Sequence, residues 1–158
     1  MNRAAETTDP VERLKLVMTH NFSWQFYNQL FAKPLNPILG ETYQAHGQDG
    51  TQIFLEQTAH HPPRGHFIVV GPNENYKMNG WLEYEIYLGL QTSTVNCLGY
   101  KQATFKDGST IKWNQNNDYL HGIFLGTMGH QLTGKVIFTD ETNNLTGFYQ
   151  YNAYTFSK

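Results

Sequence analysis

Between Asp9 and Gly40 the apolar residues recur three and four apart, at Val11, Leu14, Val17, Met18 and then Phe22. That spacing predicts one amphipathic helix from about residue 10 into the high 20s. Asp9-Pro10 supplies its start: a carboxylate at the N-cap, then a proline where the missing N–H costs nothing. The polar residues 1–8 ahead of it read as a flexible leader. Lys33-Pro34-Leu35-Asn36-Pro37 stops the helix, because two prolines three apart impose an extended path.

Beyond Gly40 the period changes. Segments near 41–46, 51–58, 65–71, 76–90, 94–106, 109–114, 119–125, 132–139 and 145–156 are rich in Tyr, Phe, Ile, Val and Thr. Turn signals separate them, at Gln48-Asp49-Gly50, Gly71-Pro72-Asn73, Asp107-Gly108 and Asn143-Asn144. Short turns between successive strands predict an antiparallel meander. Residues 76–90 do not alternate strictly, so that strand is expected to carry a bulge or to be buried on both faces. A meander this long tends to curl toward a barrel, and a large enough barrel encloses an apolar cavity. The fold class is therefore mainly β, an antiparallel meander curling toward a large β-barrel with an N-terminal helix, in one domain over 9–158.

Composition narrows the function classes. The 158 residues carry a formal net charge of −2, which gives no whole-molecule attraction to nucleic acid or to an anionic surface. Any anion site must be a local cluster. Cys97 is the only cysteine, so no intrachain disulfide forms, and its apolar strand context reads as an inert core thiol in a reducing compartment. No apolar run approaches the ~18 residues of a membrane span, and the polar start lacks a signal-peptide core. A cytoplasmic protein is expected.

Two constellations carry chemistry. In Lys33-Pro34-Leu35-Asn36-Pro37-Ile38-Leu39-Gly40-Glu41 the prolines stiffen a loop whose free backbone N–H groups, at Leu35 and Asn36, join the Lys33 ammonium as an anion cradle. The bland reading is a helix-to-strand connector with a solvated lysine. In Glu56-Gln57-Thr58-Ala59-His60-His61-Pro62-Pro63 the prolines end a strand, which lets both imidazoles turn toward one phosphate. Two structural histidines at a strand end remain an alternative. A metal site is disfavoured because no third ligand stands at a recognisable spacing, and no nucleophile elbow or Cys-His signature points to catalysis. No enzyme, cofactor or metal is expected.

Together these segments resemble the oxysterol-binding protein family, whose hallmark is Glu-Gln-Val-Ser-His-His-Pro-Pro. Thr58-Ala59 stand here for Val-Ser, and Lys33 to Gln44 matches the family's approach to its barrel almost letter for letter. Asp9-Pro10-Val11-Glu12-Arg13 resembles the preceding helix. His121-Gly122-Ile123-Phe124-Leu125-Gly126 and Gly134-Lys135 are weaker features of the same likeness.

The resemblance implies a lipid carrier peripheral at membranes. Its tunnel would exchange phosphatidylinositol 4-phosphate for a sterol or phosphatidylserine. By the same resemblance Lys33 would pair with a head-group phosphate and the Leu35 N–H would donate to it. Asn36 would bond the head group, and His60 and His61 would hold the 4-phosphate. Pro34, Pro37, Glu56, Pro62 and Pro63 support the motifs, and Glu41 is expected to brace the loop rather than touch lipid. The family's N-terminal lid and C-terminal head-group residues find no match here, so the barrel is expected to be open at an edge. A phosphoinositide sensor or membrane-contact scaffold that transfers nothing is the alternative.

Overall fold

The computed structural model describes residues 1–27 and 36–151, with Phe26 and Tyr27 as backbone only. Helices α1 (Asn2–Glu6) and α2 (Pro10–Tyr27) come first. Nine strands follow: β1 (Thr42–His46), β2 (Gln52–His60), β3 (Pro63–Val70), β4 (Tyr76–Leu88), β5 (Thr92–Phe105), β6 (Thr110–Trp113), β7 (Asn117–His121), β8 (Gly129–Asp140) and β9 (Leu145–Tyr151). All pairings are antiparallel, in the order β1-β2-β3-β4-β5-β6-β8, with β7 and β9 also on β8. The sheet curls into a partial ring, and β1 and β9 are not paired with each other among the described residues.

The start of α2 is the one its sequence specifies. The Asp9 side chain accepts from the Val11 N–H at 2.9 Å, and the Asp9 carbonyl takes the first helical bond from Arg13. The buried stripe differs from the apolar spacing. Leu14 and Val17 face the core, but Val11 and Phe22 are exposed, and the same face buries Arg13, Asn21 and Gln25. Period alone cannot show that a helix buries polar side chains; partners on other strands must satisfy them.

Residues 1–8 are not a loose leader. Ala4 in α1 is fully buried, and Arg13 Nε donates to its carbonyl at 3.0 Å. Arg13 also bonds Thr7, Ser109 and Asp107, tying α1 and the start of α2 to the β5–β6 turn. A buried guanidinium with four of its five N–H donors engaged is a strong local clamp.

The doubtful strand resolves as two-sided. β4 pairs with β5 without a break from Tyr76↔Phe105 to Leu88↔Ser93. At its start Tyr76, Met78 and Gly80 face the core; farther along Leu82 and Tyr84 line a cavity on that same face, while Glu83 is buried on the other. Residues 119–125, expected as one strand, end as β7 at His121 instead. Gly122 there has φ +67°, and a Cβ would collide with the Thr127 carbonyl.

β6 and β7 share one lane of the sheet, between β5 and β8, interrupted at 114–116. The Asn114 side chain fills the gap, accepting from the Ile137 N–H at 2.7 Å and donating to the Lys135 carbonyl at 2.9 Å. This side chain replaces missing ladder bonds and frees Gln115 and Asn116 to face inward. The core below consists of Leu14 and Val17 against Phe105, Ile111, Trp113, Val136 and Phe138.

Candidate functional site

The two motifs meet through their backbones. Gly40 N–H donates to the Gln57 carbonyl at 2.8 Å, and Gln57 N–H donates to the Glu41 carbonyl at 2.9 Å. Gly40 sits at φ +79°, the left-handed turn that lets the chain leave the loop and join β2. Glu41 closes the loop on itself: its carboxylate accepts from the Ile38 N–H at 2.9 Å, and its own N–H reaches the Ile38 carbonyl at 3.0 Å. Asn36 and Pro37 stand exposed ahead of it. Lys33, Pro34 and Leu35 lie outside the described residues.

The histidine motif is a hairpin. His60, the last residue of β2, faces Pro63, the first of β3, and His61-Pro62 make the turn. Prolines cannot serve inner ladder positions, so the strand turns here. The two imidazoles stand together, ring centres 4.6 Å apart and planes at 65°, and both are exposed. A bulge between Gln57 and Ala59 precedes them, bridged by Gln57 Nε2 to the Ala59 carbonyl at 2.8 Å. Three residues of strand, on the order of 10 Å, separate His60 from the Gln57 junction with the loop. Glu56 lies exposed on β2 opposite Thr42.

The nearest described cation to this hairpin by sequence is not free for a phosphate. Arg64 is held by Glu83, Nη2 to Oε2 at 2.6 Å and Nε to Oε2 at 2.7 Å, and lies over the Trp81 ring. Local positive charge must therefore come from the histidines themselves or from the loop.

Inside the ring, and beside α2, is a cavity of about 300 Å³. Its walls are apolar: Ile53 and Leu55 from β2, Phe67 and Val69 from β3, Met78 and Leu82 from β4. Its other side is polar, formed by His20, Asn21 and Gln25 of α2 with Lys101, Gln115 and Asn116. Asn21 is 1 % exposed and central: its Oδ1 accepts from Trp113 Nε1 at 3.0 Å and Lys101 Nζ at 3.3 Å, while its amide meets the Tyr149 hydroxyl. Gln25 Nε2 donates to Asn116 Oδ1 at 2.7 Å.

Burial decides the charges there. It brings the Lys101 ammonium down to about 8, partly opposed by Cys97. Burial, the Met1 ammonium and Lys101 push His20 down to about 4. Burial and nearby Asp118 push the Cys97 thiol up to about 12, so Cys97 is an unreactive, half-buried lining residue rather than a nucleophile. Among the described residues no three His, Cys, Asp or Glu side chains gather as a metal site.

One end of the sheet collects the chemistry. Gly40, the His60–Pro63 hairpin, the far end of β4, Gln91 and His121 all follow one another by register along it. The β4–β5 tip and the β7–β8 loop are knitted there by Gln91, whose side chain accepts from the Phe124 and Leu125 N–H groups. They present Leu88, Leu90, Phe124 and Leu125 to solvent, with Leu90 87 % exposed.

The sequence motifs located the loop exit and the hairpin. The polar cavity lining escaped them. Its signal was parity: Lys101 shares the inward register of Cys97, Ala103 and Phe105 on β5, so a charge there had to point inside.

A family model described as oxysterol-binding protein matches residues 1–158. Oxysterol-binding protein 9 of Dictyostelium discoideum is 36% identical over 147 residues, 92% of this chain and 34% of the relative. Human oxysterol-binding protein-related protein 6 is 44% identical over 145 residues, 86% of this chain and 15% of that protein. The chain therefore spans about a third or less of these relatives. Among solved structures, the Osh1 ORD domain in complex with ergosterol superposes with a TM-score of 0.81 at 25% identity, covering 89% of this chain and 35% of that one. The Osh3 ORD in complex with PI(4)P, from Saccharomyces cerevisiae, shares the fold with a TM-score of 0.73 at 18% identity, over 89% of this chain and 38% of that one.

Proposed function

The chain belongs to the oxysterol-binding protein family, and from that premise we propose that it binds lipid and exchanges phosphatidylinositol 4-phosphate for a sterol or phosphatidylserine at membranes. The reading is carried by an apolar-walled cavity lined by β2–β4 together with the paired histidines at the end of β2. A lipid tail in the cavity gains about 0.8 kcal/mol per buried CH₂, while a phosphate at the sheet end is selected by donors. The Osh1 domain, which shares fold and about a quarter of its residues, is complexed with ergosterol and cholesterol, which supports a sterol as one ligand.

Within this proposal His60 and His61 hold the 4-phosphate. A dianion between two imidazoles favours their protonated, doubly donating forms. Asn36, with Lys33 and the Leu35 N–H, completes the head-group cradle, and the Glu41–Ile38 and Gly40–Gln57 bonds hold its exit in place. The exposed Leu88, Leu90, Phe124 and Leu125 give the same end an apolar rim for transient contact with a bilayer.

The test is the double variant His60→Ala with His61→Ala. It is expected to abolish binding to vesicles containing phosphatidylinositol 4-phosphate while sterol binding persists. Unchanged phosphoinositide affinity would overturn the site. A second reading, a sensor or scaffold that binds without transferring, is favoured by the unpaired β1 and β9 edges, which leave the ring open among the described residues. Vesicle-to-vesicle transfer separates the two: binding with no lipid movement supports the sensor.

A further inference from the structure

The cavity holds a cation, Lys101, that forms no ion pair among the described residues. Lys101 projects from the inward face of β5 into the apolar chamber, and it donates to the neutral Asn21 Oδ1 at 3.3 Å. Among the described residues no carboxylate forms an ion pair with it. Asp118 also lines the cavity, but its Oδ1 meets His130 Nε2 at 2.7 Å. The same lining has a second unspent donor: Gln115 Nε2 is buried with no hydrogen-bond partner among the described residues.

Two features make this costly without a ligand. A buried ammonium with no counter-charge loses hydration that one amide oxygen replaces only in part. An unsatisfied buried amide N–H group costs on the order of 1–3 kcal/mol. The ammonium lacks a counter-charge and the amide lacks an acceptor, and both residues line a space walled by Ile53, Leu55, Phe67, Val69 and Leu82. A small inorganic anion would satisfy the donors and leave that space empty. A neutral alcohol would fill the space and leave the ammonium unpaired.

We propose that the cavity accepts an amphipathic carboxylate head first, its carboxylate on Lys101 Nζ and Gln115 Nε2 and its hydrocarbon body along the β2–β4 wall. The proposal rests on the lipid-binding reading and deepens it by naming the chemistry of the buried end. Among the described residues the one carboxylate in the lining, Asp118, is engaged by His130 at 2.7 Å rather than by Lys101. His20 is held neutral by burial, and so are the Cys97 thiol and the Tyr84 phenol, both pushed up to about 12. At about 300 Å³ the chamber stands at the small end of the ~300–1,000 Å³ range for ligand pockets, which suits a medium-chain acid. A steroid acid carries the same carboxylate on a rigid body, so the two sources need separate arms.

Titration calorimetry at pH 7 on the full chain would compare dodecanoate with dodecan-1-ol, and 5β-cholanate with cholesterol. The wild type is expected to prefer the acid at least tenfold in one pair, and the pair that shows it identifies acyl chain or steroid as the body. Lys101→Met should erase that preference; Lys101→Arg should keep part of it. Replacing a buried charge by a methionine of similar length is structurally mild, and Gln115→Leu gives an independent variant, expected to weaken acid binding severalfold. Equal binding of acid and neutral partner by the wild type overturns the proposal, as does a preference that survives Lys101→Met. No binding of either acid overturns it too. Cholesterol bound in that same series leaves the lipid-binding reading standing; loss of all four ligands takes both down.

Discussion

The indole N–H of Trp24 donates to His20 Nε2 across 3.2 Å, one helical turn apart at the cavity end of α2. That bond requires a neutral imidazole. Burial, with the Met1 and Lys101 ammonium groups, holds His20 down at about 4, against about 6.5 in the unfolded chain.

The unfolded state therefore takes up the proton first. Stability is complete above about pH 6.5 and declines as pH falls toward 4, by at most about 3 kcal/mol for this group. His20→Gln, which keeps an acceptor and cannot charge, is expected to flatten urea-denaturation midpoints between pH 4 and 6.5. Parallel loss of stability in variant and wild type would count against the assignment.

Arg13 is expected to be the most sensitive position of the amino-terminal region. Arg13→Leu strands the Ala4 and Thr7 carbonyls and removes the Asp107 ion pair, and should cost about 2–4 kcal/mol in a denaturant titration. A change under about 0.5 kcal/mol would mean that α1 does not depend on the clamp.

Asp107 gives the acid counterpart. Its bonds from Ser109, then Arg13, lower its carboxyl to about 2. The stability it contributes is present above about pH 4 and is lost as pH falls through 2. Asp107→Asn should lower the thermal midpoint at pH 7 and make little difference at pH 2.

Glu41 separates bracing from ligand contact. Glu41→Ala removes the acceptor of the Ile38 N–H and should cost about 1 kcal/mol of stability. Glu41→Gln keeps an acceptor oxygen and should restore most of the phosphoinositide affinity that the alanine variant loses. Equal loss in both variants would point to a direct role for the charge.

The rim makes a prediction about membranes. Leu90→Asp with Phe124→Asp should reduce co-sedimentation with neutral vesicles at least tenfold, since each side chain is worth about 1.5–3 kcal/mol when buried. Cavity binding of a soluble ligand should be unaffected. Unchanged sedimentation would move the membrane contact elsewhere.

Much of the architecture was legible from residues. Asp9-Pro10 set the start of α2, and the turn signals placed nine strands close to where they lie. These are local effects: a cap, a fixed φ and a period of two act over a few residues whatever the rest of the chain does. The motifs likewise marked the Glu41 brace and the His60–His61 pair, because proline dictates backbone locally.

What escaped the sequence needed partners distant in the chain. The polar face of α2 is buried because Trp113, Lys101 and Tyr149 arrive to bond Asn21, from strands 80 or more residues away. Residues 1–8 are ordered because Arg13 finds Asp107 and Ser109 across the fold. The interrupted lane at 114–116, which turns Gln115 inward, depends on Asn114 reaching the β8 backbone. Sequence determined the start of α2, the run of strands and where the hairpin turns; only the tertiary structure decided that α1 forms and which polar groups are removed from water, because desolvation depends on every neighbour at once.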